Sequence, residues 1–132
     1  MDTNTRKIIE KRLFSYYEMQ RIIEDKTEVL HSSNMDFELK AKVQNAASDP
    51  YDQKCALMDS IDVLQNWIDC IDSTLARTGP LRRDLVIKWY FEGKHEYECC
   101  KELHVGRSAF YDWKKQVLYE VEVQAVRMFL LK

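Results

Sequence analysis

Leu57, Ile61, Leu64, Ile68, Ile71 and Leu75 fall four, three, four, three and four residues apart. Only a helix brings side chains at that spacing onto one line. A strand would send successive odd and even positions to opposite faces. Held for nearly three heptads, the pattern fixes a helix over about Tyr51 to Arg77 and requires something to cover it. Apolar surface left in water is unfavourable by roughly 25 cal/mol per Å². The seam suits packing within one chain and pairing with a second chain equally well.

A second long helix is expected over Thr5 to about His31. Ile9, Leu13, Tyr16, Ile23 and Leu30 recur at three, four and seven, while Gln20 and Thr27 interrupt the stripe and Ile8, Ile22 and Val29 widen it. Ser32, Ser33 and Asn34 form a polar break, and Met35 to Ser48 has no clear period, which reads as a loop. Asp49 suits an N-cap and Pro50 a first helical turn. A connection over residues 32–49 allows the two long helices to lie antiparallel.

With only 3 Gly and 2 Pro, boundaries are few. The strongest is Thr78-Gly79-Pro80: Gly79 can take the left-handed position that closes a helix, and Pro80 can open the next. A third helix is expected over Leu81 to Glu92, with Leu85, Val86, Trp89 and Tyr90 inward and Gly93 as its stop. The fold expected is all-α: a long N-terminal helical hairpin or coiled coil over residues 1–78, then a compact helical module over 79–132.

Charge is distributed unevenly. Residues 1–78 carry 10 basic against 14 acidic side chains, and residues 79–115 carry 8 against 6. The acidic excess therefore lies outside the segment that follows the Gly79-Pro80 boundary. A face for nucleic acid needs local positive charge rather than a basic chain. No apolar run approaches the roughly 18 residues of a membrane span, which predicts no membrane partner. The polar, charged stretch Met1 to Glu10 has no signal-peptide character, so the expected compartment is the cytoplasm, with Cys55, Cys70, Cys99 and Cys100 as reduced thiols.

Residues 94–117 read as helix, tight turn, helix. The first helix spans His95 to Leu103 and packs through Cys99, Cys100 and Leu103, with the small Cys100 where two backbones approach. Val105 plugs the gap after the turn. The second helix starts near Arg107 and buries Phe110, Trp113 and Val117 at three and four. Its other side offers Arg107, Ser108, Tyr111, Asp112 and Lys115. A helix entering the major groove needs such a division into a packed face and a polar one. Arg107 and Ser108, at the helix N-terminus, are placed to read base edges. Lys114, Lys115 and the first-turn amides beside Gly106 suit phosphates.

This segment resembles the helix-turn-helix of sigma-factor region 4. Within that group it resembles the RinA/ArpU-like late transcriptional regulators of phages and prophages of Gram-positive bacteria. Ile87, Lys88, Trp89 and Tyr90 carry the likeness before the motif. Glu98, Leu103, Val105, Arg107, Ser108, Tyr111, Trp113 and Lys114 carry it within. The resemblance covers about residues 57–121 and is only architectural before that. Cys100 stands where the family usually has Ala, His104 where it often has Gly, Gly106 where it usually has Ser, and Asp112 where a basic or polar residue is common. A His in left-handed space would be strained, and a Gly cap lacks a capping oxygen. The resemblance implies activation of late genes in a bacterial host cell.

Double-stranded DNA is thus the expected partner, bound through Gly106, Arg107, Ser108, Tyr111, Asp112, Lys114 and Lys115. The aspartates at 62, 69 and 72 form an outer acidic face, a weaker candidate for contact with host RNA polymerase. The apolar ending Val126, Met128, Phe129, Leu130 and Leu131 favours a homodimer, or packing on the long helices. No nucleophile with a base partner and no phosphate-cradling loop suggests an enzyme. No cofactor is expected. His95, Cys99, Cys100 and His104 form two i, i+4 pairs on neighbouring faces that do not converge on one metal ion. Two other functions remain open: a DNA-packaging recognition subunit resembling a small terminase, and a helical adaptor that does not bind DNA.

Overall fold

The structure, a computed structural model, describes residues 2–31 and 50–132. The expected loop over 35–48, the Ser32-Ser33-Asn34 break and the Asp49 cap lie outside these residues. The described residues form six α-helices and no strand. They are α1 (Thr3–Phe14), α2 (Tyr16–His31), α3 (Pro50–Arg77), α4 (Pro80–Val86), α5 (Glu96–Leu103) and α6 (Arg107–Arg127), with a π-helical turn over Ile87–Phe91 continuing α4. No helix among them is long and apolar enough to cross a membrane.

The single N-terminal helix expected from the stripe is two helices, broken at Ser15. The Ser15 hydroxyl donates to the Lys11 carbonyl at 2.7 Å, and the Ser15 amide reaches the same oxygen at 3.1 Å. A side chain that bonds back onto the preceding turn competes with the helical ladder and bends it. The apolar period passes through the break, so spacing alone does not register it.

Gly79 also departs from expectation. Its φ of −60° and ψ of 160° are extended, and it serves as the N-cap of α4 rather than a left-handed terminator of α3. The following proline enforces this, because its ring crowds the preceding residue out of helical space. The end of α3 is secured instead by Thr78, whose amide bonds the Thr74 carbonyl at 3.0 Å and whose hydroxyl donates to Glu120 Oε2 at 2.5 Å.

Two compact units emerge: Met1–Tyr17 with Asn66–Lys132, and Glu18–Gln65. In the smaller unit Leu57, Ile61 and Leu64, the first half of the seam, are half-buried, and the Lys26 ammonium donates to the Ser60 hydroxyl. In the larger unit the second half of the seam, Ile68, Ile71 and Leu75, is core, together with Ile9, Leu13, Leu85, Val86, Phe110, Val117 and Val121. The end of α3 lies along α6: the Cys70 thiol points at the Val121 carbonyl at 3.8 Å, and Arg77 Nη2 donates to Gln124 Oε1 at 2.5 Å. Burial raises the Cys70 thiol to about 11, so it stays protonated.

The π turn distributes three consecutive aromatics among three neighbours. Trp89 meets Phe110 edge-on at 5.6 Å, Tyr90 meets Phe14 at 4.8 Å, and Phe91 stacks on Tyr16 at 4.2 Å. The Tyr16 hydroxyl in turn donates to Asp72 Oδ1 at 2.6 Å. An α-helix turns 100° per residue, whereas the wider turn, closed by Glu92 N–H to Ile87 O at 2.8 Å, redirects the chain locally. Gly93 then stops the segment at φ 69°, as expected of it.

Candidate nucleic-acid interface

Helices α5 and α6 are joined by His104, Val105 and Gly106. The end of α5 closes as a Schellman motif: His104 N–H reaches the Lys101 carbonyl at 3.3 Å, and Val105 N–H reaches the Cys100 carbonyl at 3.1 Å. This closure puts His104 in left-handed space, φ 57° and ψ 42°. The strain foreseen for a non-glycine residue there is therefore real. The hydrophobic contact that accompanies such a closure has its counterpart in Cys100 and Val105, which both pack against one cluster.

That cluster is Leu85 from α4, Cys99 and Leu103 from α5, and Phe110 from α6, with Trp89 and Trp113 at its margin. It fixes the angle at which α6 leaves the turn. A second clamp is ionic. Glu102 binds Lys88 of the π turn at 2.6 Å and Lys94 at 3.1 Å. These bonds hold its carboxyl below the usual range and raise Lys94.

Gly106 caps α6 in extended conformation with no side-chain bond, so the first-turn amides carry no side-chain partner. Arg107, Ser108, Tyr111, Asp112 and Lys115 are all exposed, along one stripe of α6. The opposite arc carries Phe110, Val117, Leu118 and Val121, all buried. The structure thus brings together Gly106 and five of the six side chains expected to meet DNA.

Lys114 is the exception. It is 8% exposed, and its ammonium lies over the rings of Trp89 at 5.1 Å, Tyr111 at 5.6 Å and Tyr90 at 5.9 Å. It cannot present a charge to a phosphate from there. The reason is periodic: Lys114 is four residues beyond Phe110 and three before Val117, on the packed arc. Desolvation pulls its ammonium below the usual lysine value, and three ring faces offset part of that cost.

Two residues join the site that sequence reasoning did not select. Glu96, in the first turn of α5, accepts from Arg107 Nε at 2.9 Å and from the Tyr111 hydroxyl at 2.7 Å. Arg6 of α1 lines an open groove of about 420 Å³ with Lys115, Leu118 and Tyr119. Its guanidinium also pairs with Glu10 at 2.9 Å. Neither residue belongs to the periodic pattern of α6, and both reach it only through tertiary packing.

Elsewhere, the apolar ending is only partly covered. Phe129 is 94% exposed at φ 61°, and Val126 is exposed, while Met128, Leu130 and Leu131 are half-buried. Of the aspartates on the outer face of α3, Asp72 is the one that receives the Tyr16 hydroxyl. Comparison with protein-family models, with curated proteins and with solved structures returned no match to this chain.

Proposed function

We propose that this chain is a sequence-specific DNA-binding regulator of transcription that sets the N-terminal half of α6 into the major groove. One observation carries the reading. A helix whose inner arc is locked into a three-helix cluster presents Arg107, Ser108, Tyr111, Asp112 and Lys115 as a single exposed polar stripe, directly after a tight turn. Arginine reads guanine bidentately, serine and aspartate add donors and an acceptor, and lysine meets phosphate. The open amides at the Gly106 cap suit a second phosphate. The resemblance to RinA/ArpU-like regulators adds the more specific proposal of a phage or prophage late-gene activator, with host RNA polymerase as a further partner. On this reading the chain is not an enzyme.

The exposed Phe129 and Val126 favour association with another polypeptide. A second copy would set two recognition helices on a two-fold DNA site. The deciding experiment is selection of bound duplexes from a random pool, run beside a Tyr111→Ala, Lys115→Ala double variant. The native protein is expected to enrich a motif that the variant does not, and the symmetry of that motif reports the oligomer. Enrichment by neither, at low salt, would reject DNA binding in favour of a helical adaptor. A ring of many subunits in solution would favour the DNA-packaging role.

A further inference from the structure

Among the described residues Glu96 is the one carboxylate that engages the exposed stripe of α6 with both of its oxygens. Oε1 accepts from Arg107 Nε at 2.9 Å and Oε2 accepts from the Tyr111 hydroxyl at 2.7 Å. The two bonds tie side chains one helical turn apart to a single point on the neighbouring helix. The Arg107 guanidinium carbon lies 5.8 Å from the centre of the Tyr111 ring, so the three groups form a closed set. Arg107 is nonetheless 77% exposed, while Glu96 is 28% exposed. The arginine therefore reaches into solvent from a fixed base.

We propose that Glu96 is a specificity-determining positioning residue: its carboxylate holds Arg107 and Tyr111 in the arrangement that discriminates between base pairs, at the expense of general affinity for DNA. The inference rests on the DNA-binding reading of α6. Two physical effects of the one group act in opposite directions. An exposed arginine samples many rotamers, and a bidentate contact to a guanine edge accepts only a narrow range of them. Anchoring Nε and the tyrosine hydroxyl removes most of that freedom before DNA arrives, which favours the matched base over all others. The negative charge beside Arg107 also opposes the phosphates of any duplex, whatever its sequence. Glu96 thus raises the ratio of matched to unmatched affinity: repulsion lowers the unmatched affinity, while at the matched site the anchoring outweighs the repulsion. Phosphate attraction works the other way, raising every affinity together.

Charge and geometry separate by substitution. Glu96→Gln removes the charge and leaves one acceptor oxygen where the tie uses two, so charge and tie are lost together. Glu96→Asp keeps the charge, but its shorter stem does not span both partners. The experiment measures dissociation constants of the full chain for the selected duplex and for a base-shuffled duplex over a range of salt. Melting curves establish that each variant is folded, and the NMR signal of the Arg107 Nε–H in the free protein reports the tie itself. For Glu96→Gln the shuffled duplex is expected to bind about threefold tighter at low salt. The matched-to-shuffled ratio should fall about tenfold, and the salt slope should steepen by up to about 0.9. For Glu96→Asp the ratio should fall with the slope unchanged. In both, the Arg107 Nε–H should lose its protection. A ratio within twofold of the native value in both folded variants overturns the proposal while leaving DNA recognition standing. If the native protein binds no duplex in a salt-dependent way, the DNA reading fails first, and this proposal with it.

Discussion

Among the described residues three helix endings use left-handed backbone, at Gly93 (φ 69°), His104 (φ 57°) and Phe129 (φ 61°), and the first two yield a prediction with opposite signs. A residue with a Cβ in left-handed space is strained by about 1–2 kcal/mol. Glycine escapes that strain but loses more chain entropy on folding, at a cost of about 0.4–1 kcal/mol. The difference makes His104→Gly stabilising by about 0.8 kcal/mol. The imidazole is exposed, so little packing is lost with it. At Gly93 an added Cβ would meet nothing within 4 Å, so Gly93→Ala carries the conformational cost alone and destabilises by about the same amount. With a urea slope of about 2 kcal/mol/M, the midpoints should move by about 0.4 M, up for His104→Gly and down for Gly93→Ala. His104→Ala is the control. It keeps the Cβ and should leave the midpoint nearly unchanged. The reasoning is refuted if both glycine-site changes move the midpoint the same way, or if His104→Ala stabilises as much as His104→Gly.

Acid should weaken the clamp between the π turn and α5. The Glu102 carboxyl titrates below its unfolded value of about 4.3, chiefly through its bonds to Lys88 and Lys94. Because the folded pKa is the lower one, the unfolded chain binds the proton first. The contribution is complete above the unfolded value and is lost as pH falls through the folded one. Melting temperature against pH should fall more steeply below about pH 4.5 for the native protein than for Glu102→Gln; parallel curves would contradict the pairing. At the proposed interface, Arg107→Ala should weaken the selected duplex by about 1–3 kcal/mol and relax one base position in a repeated selection. Equal loss on every sequence would assign Arg107 to the phosphates instead.

Most of the module that carries the proposed site was legible because its signals are periodic and local. Phe110, Trp113 and Val117 marked the inner arc of α6, Gly93 marked a stop, and the helix limits at Leu103 and Arg107 agree with the structure. What escaped was set by single side chains or by contacts across helices. Ser15 broke a helix through one hydroxyl, which no hydrophobic period records. Lys114 counted as a surface charge by residue type, although its position among Phe110, Val117 and Val121 placed it inside. Glu96 lies eleven and fifteen residues from the partners it ties, a relation that exists only once α5 and α6 pack. Gly79 is the instructive case, because Pro80 had already decided its conformation and the proline should have outranked the glycine.

The proposed DNA binding carries an expected salt dependence that follows from the charges left free by the fold. Residues 79–115 hold 8 basic side chains, but the fold occupies most of them. Arg82 faces Glu120, Lys88 and Lys94 share Glu102, Arg107 is held by Glu96, and Lys114 is buried. Along the stripe of α6, Lys115 is the cation with no salt bridge to a described residue. If one copy neutralises about two phosphates, counting Lys115 and the Gly106 cap, the slope of log affinity against log salt should be about −2. Two copies on a two-fold site would double it, and Lys115→Ala should remove about one unit per copy. So shallow a dependence fits a chain of net charge −2, because little of the binding would come from bulk attraction and more from base contacts. A measured slope near −10 would instead place the phosphate contacts on surfaces other than this stripe, and Lys115→Ala would then leave the slope almost unchanged.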